Sequence, residues 1–263
     1  MLELRNARAR WGMQLVLTAM IIPFAAPLYL MVQGSTQGDG LLRNYRAVLS
    51  RPELPRFFLN SIEIAVLVIV ITYTCTMLAA YALAKLRLRG REIAFYVLLA
   101  GLTLPSASLS VPLFITIREL GLFNTDWAVV LPLSALQISF SVLLARSFME
   151  GVPDAILDAA RCDGASSRQA FWHVLLPICR PVSAVIIVWS FVGAWNEYLL
   201  PLLFLQKTDQ QTITLVPTFF ESQYTADQTK IMAASVITTI PTVLLYLGLQ
   251  RFFERGLTVG AVK

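Results

Sequence analysis

The sequence predicts an all-α membrane protein with six transmembrane helices and a cytoplasmic insert of helix-turn-helix form. Composition is the first reason: 57% of the 263 residues are hydrophobic and only 14% are charged, with a mean hydropathy of +0.67. A typical soluble domain is about one-quarter charged. The second reason is a series of long apolar runs, at residues 11–32, 60–84, 93–117, 127–148, 181–205 and 231–252.

Each run is long enough to cross a bilayer as a helix. About 20 residues rising ~1.5 Å each cover a hydrocarbon core of ~30 Å. Lipid offers the backbone no hydrogen bonds, so a spanning segment must be a helix or a closed-barrel strand, and runs of this length favour helices. Three arginines precede the first run, which could therefore be a signal peptide. Because the run is too long for the apolar region of a signal peptide and continues to Val32, we expect a retained first span.

Prolines interrupt the third and fourth runs, at Pro105, Pro112 and Pro132. Proline lacks the backbone donor of a regular helix and clashes with the preceding turn, so each of these residues predicts a kink or a break. Breaks of this kind can accompany motion or be static, and the sequence leaves both interpretations open.

Basic residues indicate the side of the membrane on which each connection lies. Six spans put both termini on one face, and that face carries about twice as many lysines and arginines as the other. We therefore predict cytoplasmic termini, with one transmembrane domain over 1–263, a cytoplasmic insert at 149–180 and a tail at 253–263. The first external connection departs from the rule, since it has four arginines against only Asp39 and Glu53. The net charge of +5 reflects topology and gives no reason to expect nucleic acid binding.

The polar insert reads VPDAILDAARCDGASSRQAFWHVLLPICRP over residues 152–181. Gly164 suits a helix C-terminus, where a residue often needs positive φ. Ser166 and Gln169 have the spacing of a capping box for a second helix. We expect that helix to stop at Pro177, because proline disfavours helical geometry in the residue before it. The insert is thus predicted to be two short helices joined by a tight turn.

The first predicted helix, opened by Pro153, has a face of mostly small side chains that can enter a groove closely. The same face could instead pack on the protein's own spans, and the spacing alone favours neither. Its i, i+3, i+4, i+7 members are Ile156, Ala159, Ala160 and Asp163. The second helix carries three apolar residues that we expect to anchor the insert on the span ends: Phe171, Val174 and Leu175.

Seven residues of the insert fall on a known motif: Asp158, Ala159, Ala160, Gly164, Val174, Leu176 and Pro177. The motif is EAA, three residues, Gly, nine residues, Ile, any residue, Leu, Pro, with Asp here for Glu and Val for Ile. It belongs to the coupling loop of ABC importer permeases, which the chain resembles from Asn60 onward. Two further segments resemble sequences of the carbohydrate branch, and within it the smaller permease of maltose-type systems: WNEYLLPLLFL at 195–205 and RGLTVGAVK at 255–263.

This resemblance implies a permease subunit of an ATP-driven importer for a carbohydrate or related polyol, in the inner membrane of a prokaryote. The implied partners are a second permease in a heterodimer, two cytoplasmic ATPase subunits and an extracytoplasmic solute-binding protein. The chain has no G-x-x-x-x-G-K-[ST] loop, so ATP and Mg²⁺ are expected in the ATPase and no catalytic residue in this chain. The implied ATPase-coupling residues are Ile156, Asp158, Ala159, Ala160, Asp163, Gly164, Leu176 and Pro177.

Substrate contacts are harder to locate than the coupling loop. Glu197 lies in the fifth run, where a charge costs about 2.5 to 3.5 kcal/mol and usually faces a cavity or another helix. Its neighbours Trp195, Asn196 and Tyr198 complete a set typical of sugar sites, in which a ring stacks on the sugar and polar groups take its hydroxyls. The same four residues would equally suit the external interface, where Trp and Tyr are common.

The residues alone leave two other functional classes open. A stand-alone, ion-coupled secondary transporter would often show internal repeats and deep charges. The sequence has no convincing repeat and few deep charges beyond Glu197. A membrane scaffold that recruits a cytoplasmic enzyme is not excluded by the residues alone. No metal site or disulfide framework is expected, since His173 is the only histidine and the three cysteines have no metal-binding spacing.

Overall fold

The structure, a computed structural model, describes residues 7–221 and 226–259, with side chains over 11–221 and 226–248. Within those residues the protein is helical and contains no strand, which confirms the all-α prediction. The helices are α1 (Ala7–Ser35), α2 (Leu41–Leu49), α3 (Leu54–Lys85), α4 (Arg91–Ala100), α5 (Ser110–Glu119), α6 (Trp127–Glu150), α7 (Asp154–Cys162), α8 (Ser167–Gln169), α9 (Leu176–Ile178), α10 (Arg180–Trp195), α11 (Leu199–Phe204) and α12 (Gln228–Val259).

Four helical segments of the described chain are long and apolar enough to cross a membrane without a break: Trp11–Ser35, Leu54–Lys85, Trp127–Glu150 and Gln228–Gly248. Two bent pairs of helices meet the same criterion, Arg91–Thr103 with Ser106–Glu119 at 93° and Ser167–Ile178 with Arg180–Trp195 at 79°. The count reaches the predicted six only if each bent pair is one span. The last helix continues to Val259, so the predicted tail at 253–263 begins as helix, and residues 260–263 lie outside the described chain.

The third predicted span, 93–117, is broken near its middle. After α4 and a 3₁₀ turn the backbone is extended at Leu104 and Pro105, with ψ of 117° and 122°, before helix resumes. The break predicted at Pro105 is confirmed, because a proline drives the residue before it out of the helical region. Pro132, in contrast, lies inside the unbroken α6.

The prediction of one continuous span over 181–205 is wrong. Helix α10 ends at Trp195, and the three residues 196–198 are not helical before α11 begins. The 16 residues of α10 rise only ~24 Å, less than the ~30 Å of a hydrocarbon core.

The chain forms two compact units, of which the larger comprises the described parts of 55–215 and 241–263. It holds two apolar clusters. The coupling-side cluster joins the C-terminal ends of α3 and α6 to the insert and to the start of α10, around Tyr81, Met149, Leu157 and Leu175. The second cluster joins the opposite ends of α3 and α6 to α5 and α11. The insert is therefore built directly onto the ends of two spans.

The smaller unit comprises the described parts of 1–54 and 216–240. In it α2 is held against the end of α1, because the buried amide of Asn44 donates to the carbonyls of Ser35 (2.9 Å) and Gln37 (2.7 Å). Near the start of α12, Lys230 forms ion pairs with Asp227 (2.6 Å) and Asp39 (3.3 Å).

Candidate functional site

The first helix of the insert, α7, is attached to the protein by very little of its surface. Leu157 is its one buried side chain, 2% exposed, and it enters the coupling-side cluster. Pro153 immediately precedes the helix with an extended ψ of 133°, one residue earlier than the predicted first turn. A short helix held at one apolar point and otherwise exposed has the form of a docking element.

The predicted docking face of α7 is largely open. Ile156 is 40% exposed, Ala159 and Asp163 are exposed, and Ala160 is half-buried. Asp158 is also exposed, and its carboxylate pairs with Arg161 at 2.8 Å. Among the described residues, three of the four side chains of this face are therefore open to a partner, and only Ala160 is partly covered.

Gly164 ends α7 in the left-handed conformation predicted for it, with φ of +85°. The amide of Gly164 donates to the carbonyl of Arg161 (3.0 Å), and the amide of Ala165 donates to that of Ala160 (2.9 Å). These two bonds form a Schellman motif, which satisfies carbonyls at a helix end and turns the chain sharply. The tight turn is thus confirmed.

The predicted capping box is present in the following helix. The Ser166 hydroxyl accepts from the Gln169 amide (3.3 Å), and the Gln169 side chain accepts from the Ser166 amide (2.9 Å). The prediction that the helix stops at Pro177 is wrong, since helix continues to Ile178 through a π-helical turn at Ala170–Leu175. Pro177 follows the π-helical turn directly, as the second residue of α9, and the amide of Leu176 before it still donates to the carbonyl of Phe171.

The second half of the insert is the anchor that the sequence predicted. Phe171 and Leu175 are 3% and 0% exposed, and Val174 packs beside them. The Phe171 ring lies 5.0 Å from the ring of Tyr81 on α3, and the Tyr81 hydroxyl donates to the carbonyl of Ser167 (3.1 Å). The insert is therefore fixed to α3 by both an aromatic contact and a hydrogen bond. The coupling motif's Leu176 is half-buried against this cluster, whereas Pro177 is exposed.

A polar link between span and insert was missed by the sequence reasoning. The ammonium of Lys85 donates to Asp154 Oδ1 (2.6 Å) and to the carbonyl of Val152 (2.7 Å). The hydrogen bond from Lys85 holds the pKa of Asp154 below its ordinary value. The only signal in the sequence was a lysine in the last turn of a span, and the positive-inside rule already accounts for a basic residue there.

Arg146 forms a second link just before the insert. Its guanidinium donates to both carboxylate oxygens of Glu92 (2.7 and 2.9 Å) and to Glu150 (2.8 Å), and it lies 3.9 Å from the centre of the Phe95 ring. This arrangement joins α4 to α6 through a planar, forked cation. The i, i+4 spacing of Arg146 and Glu150 was a visible signal, although nothing in the sequence indicated Glu92.

The four candidate path residues lie at the break after α10. The Asn196 side chain donates to the carbonyl of Val192 (2.9 Å) and accepts from the Thr242 hydroxyl (3.3 Å). The carboxylate of Glu197 accepts from the Leu200 amide (3.0 Å), which caps α11. These local bonds offer the backbone an alternative to continued helix.

The same four residues differ sharply in exposure. Trp195 is 2% exposed, with its ring stacked on Phe191 (5.6 Å, 14°) and edge-on to Phe58 (5.4 Å). Tyr198 is 43% exposed and Asn196 is also exposed, while Glu197 is half-buried. The open groups at the break are thus an amide and a phenol, and the indole belongs to the packing around them.

Within the described residues no group of three or more His, Cys, Asp and Glu side chains could hold a metal ion. The three cysteines are free, with Cys179 buried and the other two exposed.

Residues 72–259 match the family model of the binding-protein-dependent transport system inner membrane component. Among curated relatives, the lactose transport system permease protein LacG of Rhizobium radiobacter is 34% identical over 87% of this chain and 82% of its own length. The diacetylchitobiose uptake system permease protein NgcG of Streptomyces coelicolor is 32% identical over 84% and 74%. The melibiose/raffinose/stachyose import permease protein MelC of Bacillus subtilis is 27% identical over 99% and 100%.

The fold is similar to that of solved transporter chains. A chain from the crystal structure of a bacterial ABC transporter involved in the import of the acidic polysaccharide alginate superposes with a TM-score of 0.79, at 22% identity, over 95% of this chain and 98% of that one. A chain from the bacterial alginate ABC transporter in complex with an alginate pentasaccharide-bound periplasmic protein gives 0.76, at 15% identity, over 94% and 96%.

Proposed function

Because this chain belongs to the family of binding-protein-dependent transport system inner membrane components, a family of transport permeases, we propose that it forms half of the translocation path of an ATP-driven carbohydrate importer. The cargo class is a sugar, oligosaccharide or related polyol, as the names of LacG, NgcG and MelC suggest for those relatives. The observation that carries the proposal is the coupling insert: an exposed helix with the family's motif, fixed to two span ends. The chain is a multi-pass inner-membrane protein and performs no covalent chemistry.

Coupling runs through the insert. The open face of α7, with Ile156, Ala159 and Asp163, docks in a cleft of a separate cytoplasmic ATPase subunit. Small side chains let the helix enter such a cleft closely. When the ATPase subunits close on ATP and Mg²⁺, the movement of α7 passes through Leu157 and the anchor helix to α3 and α6. These spans then change between inward-open and outward-open arrangements.

The substrate-path proposal concerns the break after α10. Asn196 and Tyr198 are the exposed groups, and an amide with a phenol can exchange hydrogen bonds with sugar hydroxyls. Glu197 fixes the shape of the break by capping α11, and Trp195 supports it from the interior. All four residues therefore belong to the proposed path, and Asn196 and Tyr198 are the two that contact the sugar directly.

In the proposed assembly this chain lies in the bilayer with four further subunits. A second permease completes the path as a heterodimer, two ATPase subunits lie in the cytoplasm, a solute-binding protein delivers the cargo from outside, and the bilayer surrounds the spans. Both termini lie in the cytoplasm. The C-terminal segment 256–263 reaches the ATPase dimer, and its deletion is expected to lower coupled ATPase activity without loss of the chain from the membrane.

Affinity purification of the tagged chain from its native membrane in mild detergent tests the proposal. Mass spectrometry should identify an ATPase and a second permease with the wild type. Ala159→Asp and Ala160→Asp should lose the ATPase and keep the permease, and Ala159→Asp the more completely, because Ala159 is the more exposed residue. Ala226→Asp, an exposed alanine in the smaller unit, is the matched control and should keep both.

Transport measurements separate the rival classes. Uptake into vesicles that requires ATP and an added binding protein supports the importer. A solitary wild-type chain that transports on an ion gradient would establish a secondary transporter. A chain that binds a cytoplasmic enzyme but moves no solute would establish a scaffold.

A further inference from the structure

Helix α2 has an exposed face divided between leucines and arginines. Its buried side consists of Asn44 and Val48, both 0% exposed. Successive residues are about 100° apart, so Leu42 and Leu49 fall within about 20° of each other, with Arg46 and Arg43 further round the same exposed side. Leu41 lies at the edge of this side, next to Val48. The exposed members are Leu41 (51%), Leu42 (81%), Leu49 (60%), Arg43 and Arg46.

The depth of this helix in the membrane is fixed by its contacts with α1. Apolar side chains of α1 are exposed up to Val32, which is 48% exposed, so the apolar surface of that span continues nearly to its end. The last residue of α1, Ser35, bonds both the amide of Asn44 through its carbonyl (2.9 Å) and the hydroxyl of Tyr45 through its own (2.9 Å). Because α2 is tied to the final turn of a span, it lies at the boundary between hydrocarbon and headgroups.

The two arginines of α2 have no anionic partner among residues 11–221 and 226–248. The nearby Asp39 pairs with Lys230 instead. Both arginines also belong to the connection that departs from the positive-inside rule, where extra positive charge has no topological use. At headgroup depth the available anion is a lipid phosphate. A guanidinium can bind a phosphate through two parallel hydrogen bonds.

We propose that α2 is an interfacial helix that binds the phosphate groups of anionic lipids through Arg43 and Arg46. Leu41, Leu42 and Leu49 enter the acyl-chain boundary beside them, as in other amphipathic interfacial helices. The assignment to the outer leaflet rests on the topology given under the proposed function. The site holds the smaller unit at a fixed depth in the membrane.

Lipid retention gives the first test. The complex, purified with its co-purifying subunits, is exchanged into phosphatidylcholine with and without phosphatidylglycerol, and retained lipid is measured by mass spectrometry. Arg43→Gln with Arg46→Gln should lower the preference for phosphatidylglycerol by roughly tenfold. Arg43→Lys with Arg46→Lys, which keeps the charge and loses the fork, should keep most of it. An unchanged preference in the glutamine variant would overturn the proposal.

Depth measurement gives the second test. A spin label at Leu42→Cys, in a background with the three native cysteines replaced by serine, should be relaxed by oxygen and shielded from an aqueous nickel reagent. Access to nickel would place α2 in water, and shielding from both reagents would mean that a protein covers the face. Either result would overturn the lipid assignment.

The failure of the lipid proposal can be distinguished from failure of the proposed function. ATPase co-purification, measured on the same samples, tests the importer assignment and does not depend on Arg43 or Arg46. An impermeant thiol reagent on intact cells should label Ser50→Cys, an exposed position just after α2. Labelling only after lysis would overturn the outer-leaflet assignment and the topology together.

Discussion

The ammonium of Lys85 lies 2.6 Å from the carboxylate of Asp154, which joins the last residue of α3 to the first residue of α7. The lysine side chain is only 5% exposed, whereas that of Asp154 is 79% exposed. A second bond from the same ammonium reaches the carbonyl of Val152 (2.7 Å). The pair therefore clamps the start of α7 to the end of α3, while Leu157 holds its middle.

Replacing Lys85 by Gln is expected to weaken this clamp without unfolding the protein, because the exposed Asp154 can be solvated by water. We expect faster amide exchange in residues 154–162 and several-fold lower ATPase stimulation by the solute-binding protein. Lys207→Gln is the matched control, since Lys207 is an exposed lysine outside the insert whose side chain makes no ion pair among the described residues. Equal effects of the two variants would contradict a special role for Lys85.

Gly164 tests the turn between the two helices of the insert. Apart from its chain neighbours, no heavy atom of the described residues lies within 4 Å of a Cβ built at this position, so the cost comes from the backbone φ of +85°. A left-handed conformation costs about 1 to 2 kcal/mol for a residue with a Cβ and more for a β-branched one, while asparagine tolerates it. Gly164→Val should thus lower ATPase co-purification and transport more than Gly164→Asn. Wild-type transport by the valine variant would argue against the turn's role.

Phe171 and Trp172 form a matched pair for the anchor, because they are adjacent aromatic residues with 3% and 50% exposure. Phe171→Ala should destabilise the insert by about 3 to 5 kcal/mol, the usual cost of deleting a buried aromatic side chain. Trp172→Ala should cost much less. Limited proteolysis within residues 149–180 and thermal unfolding in detergent would measure both, and similar losses in the two variants would contradict the anchor assignment.

Much of the insert could be predicted because its signals are local. The positive φ of Gly164 and the box formed by Ser166 and Gln169 depend on residues a few positions apart, and each was confirmed. The helix end at Pro177 was misjudged because proline's effect depends on its position within a turn, which the π-helical segment shifts.

Other features could not be predicted because they depend on residues distant in sequence. The break after Trp195 was hidden in an apolar run, since the sequence does not reveal that Glu197 caps α11 or that Thr242 reaches Asn196. The burial of Trp195 against Phe58 and Phe191 depends on packing between helices. The roles of the candidate coupling and path residues in transport stay predictions.

Asp227 provides a test of pH dependence in the smaller unit. A hydrogen bond from Lys230, with a further one from Thr229, lowers the pKa of Asp227 from 3.8 to about 2. A depressed carboxyl pKa stabilises the folded state above the unfolded value, and this contribution is lost as pH falls through the folded value. The destabilisation caused by Asp227→Asn should therefore be constant near neutral pH and shrink as pH falls below 3.8 toward about 2. Thermal unfolding would measure it, with the exposed Asp209→Asn as control; a difference that grows on acidification would refute the ion pair.

Gly193 and Gln137 provide a test of the packing between α10 and α6. A Cβ on Gly193 would lie 2.7 Å from Gln137 Nε2 and 3.3 Å from its Cδ, so Gly193→Ala must displace the buried amide. Because Nε2 is the far end of a flexible side chain whose amide makes no hydrogen bond among the described residues, the cost should be about 1 kcal/mol, the low end of the range for overpacking. In a Gln137→Ala background the same change should cost much less, because the opposing atoms are gone, and a double-mutant cycle on unfolding free energies would report the difference. If the two free-energy changes were strictly additive, the Gln137 amide would be free to move away, and this contact would not hold α10 against α6.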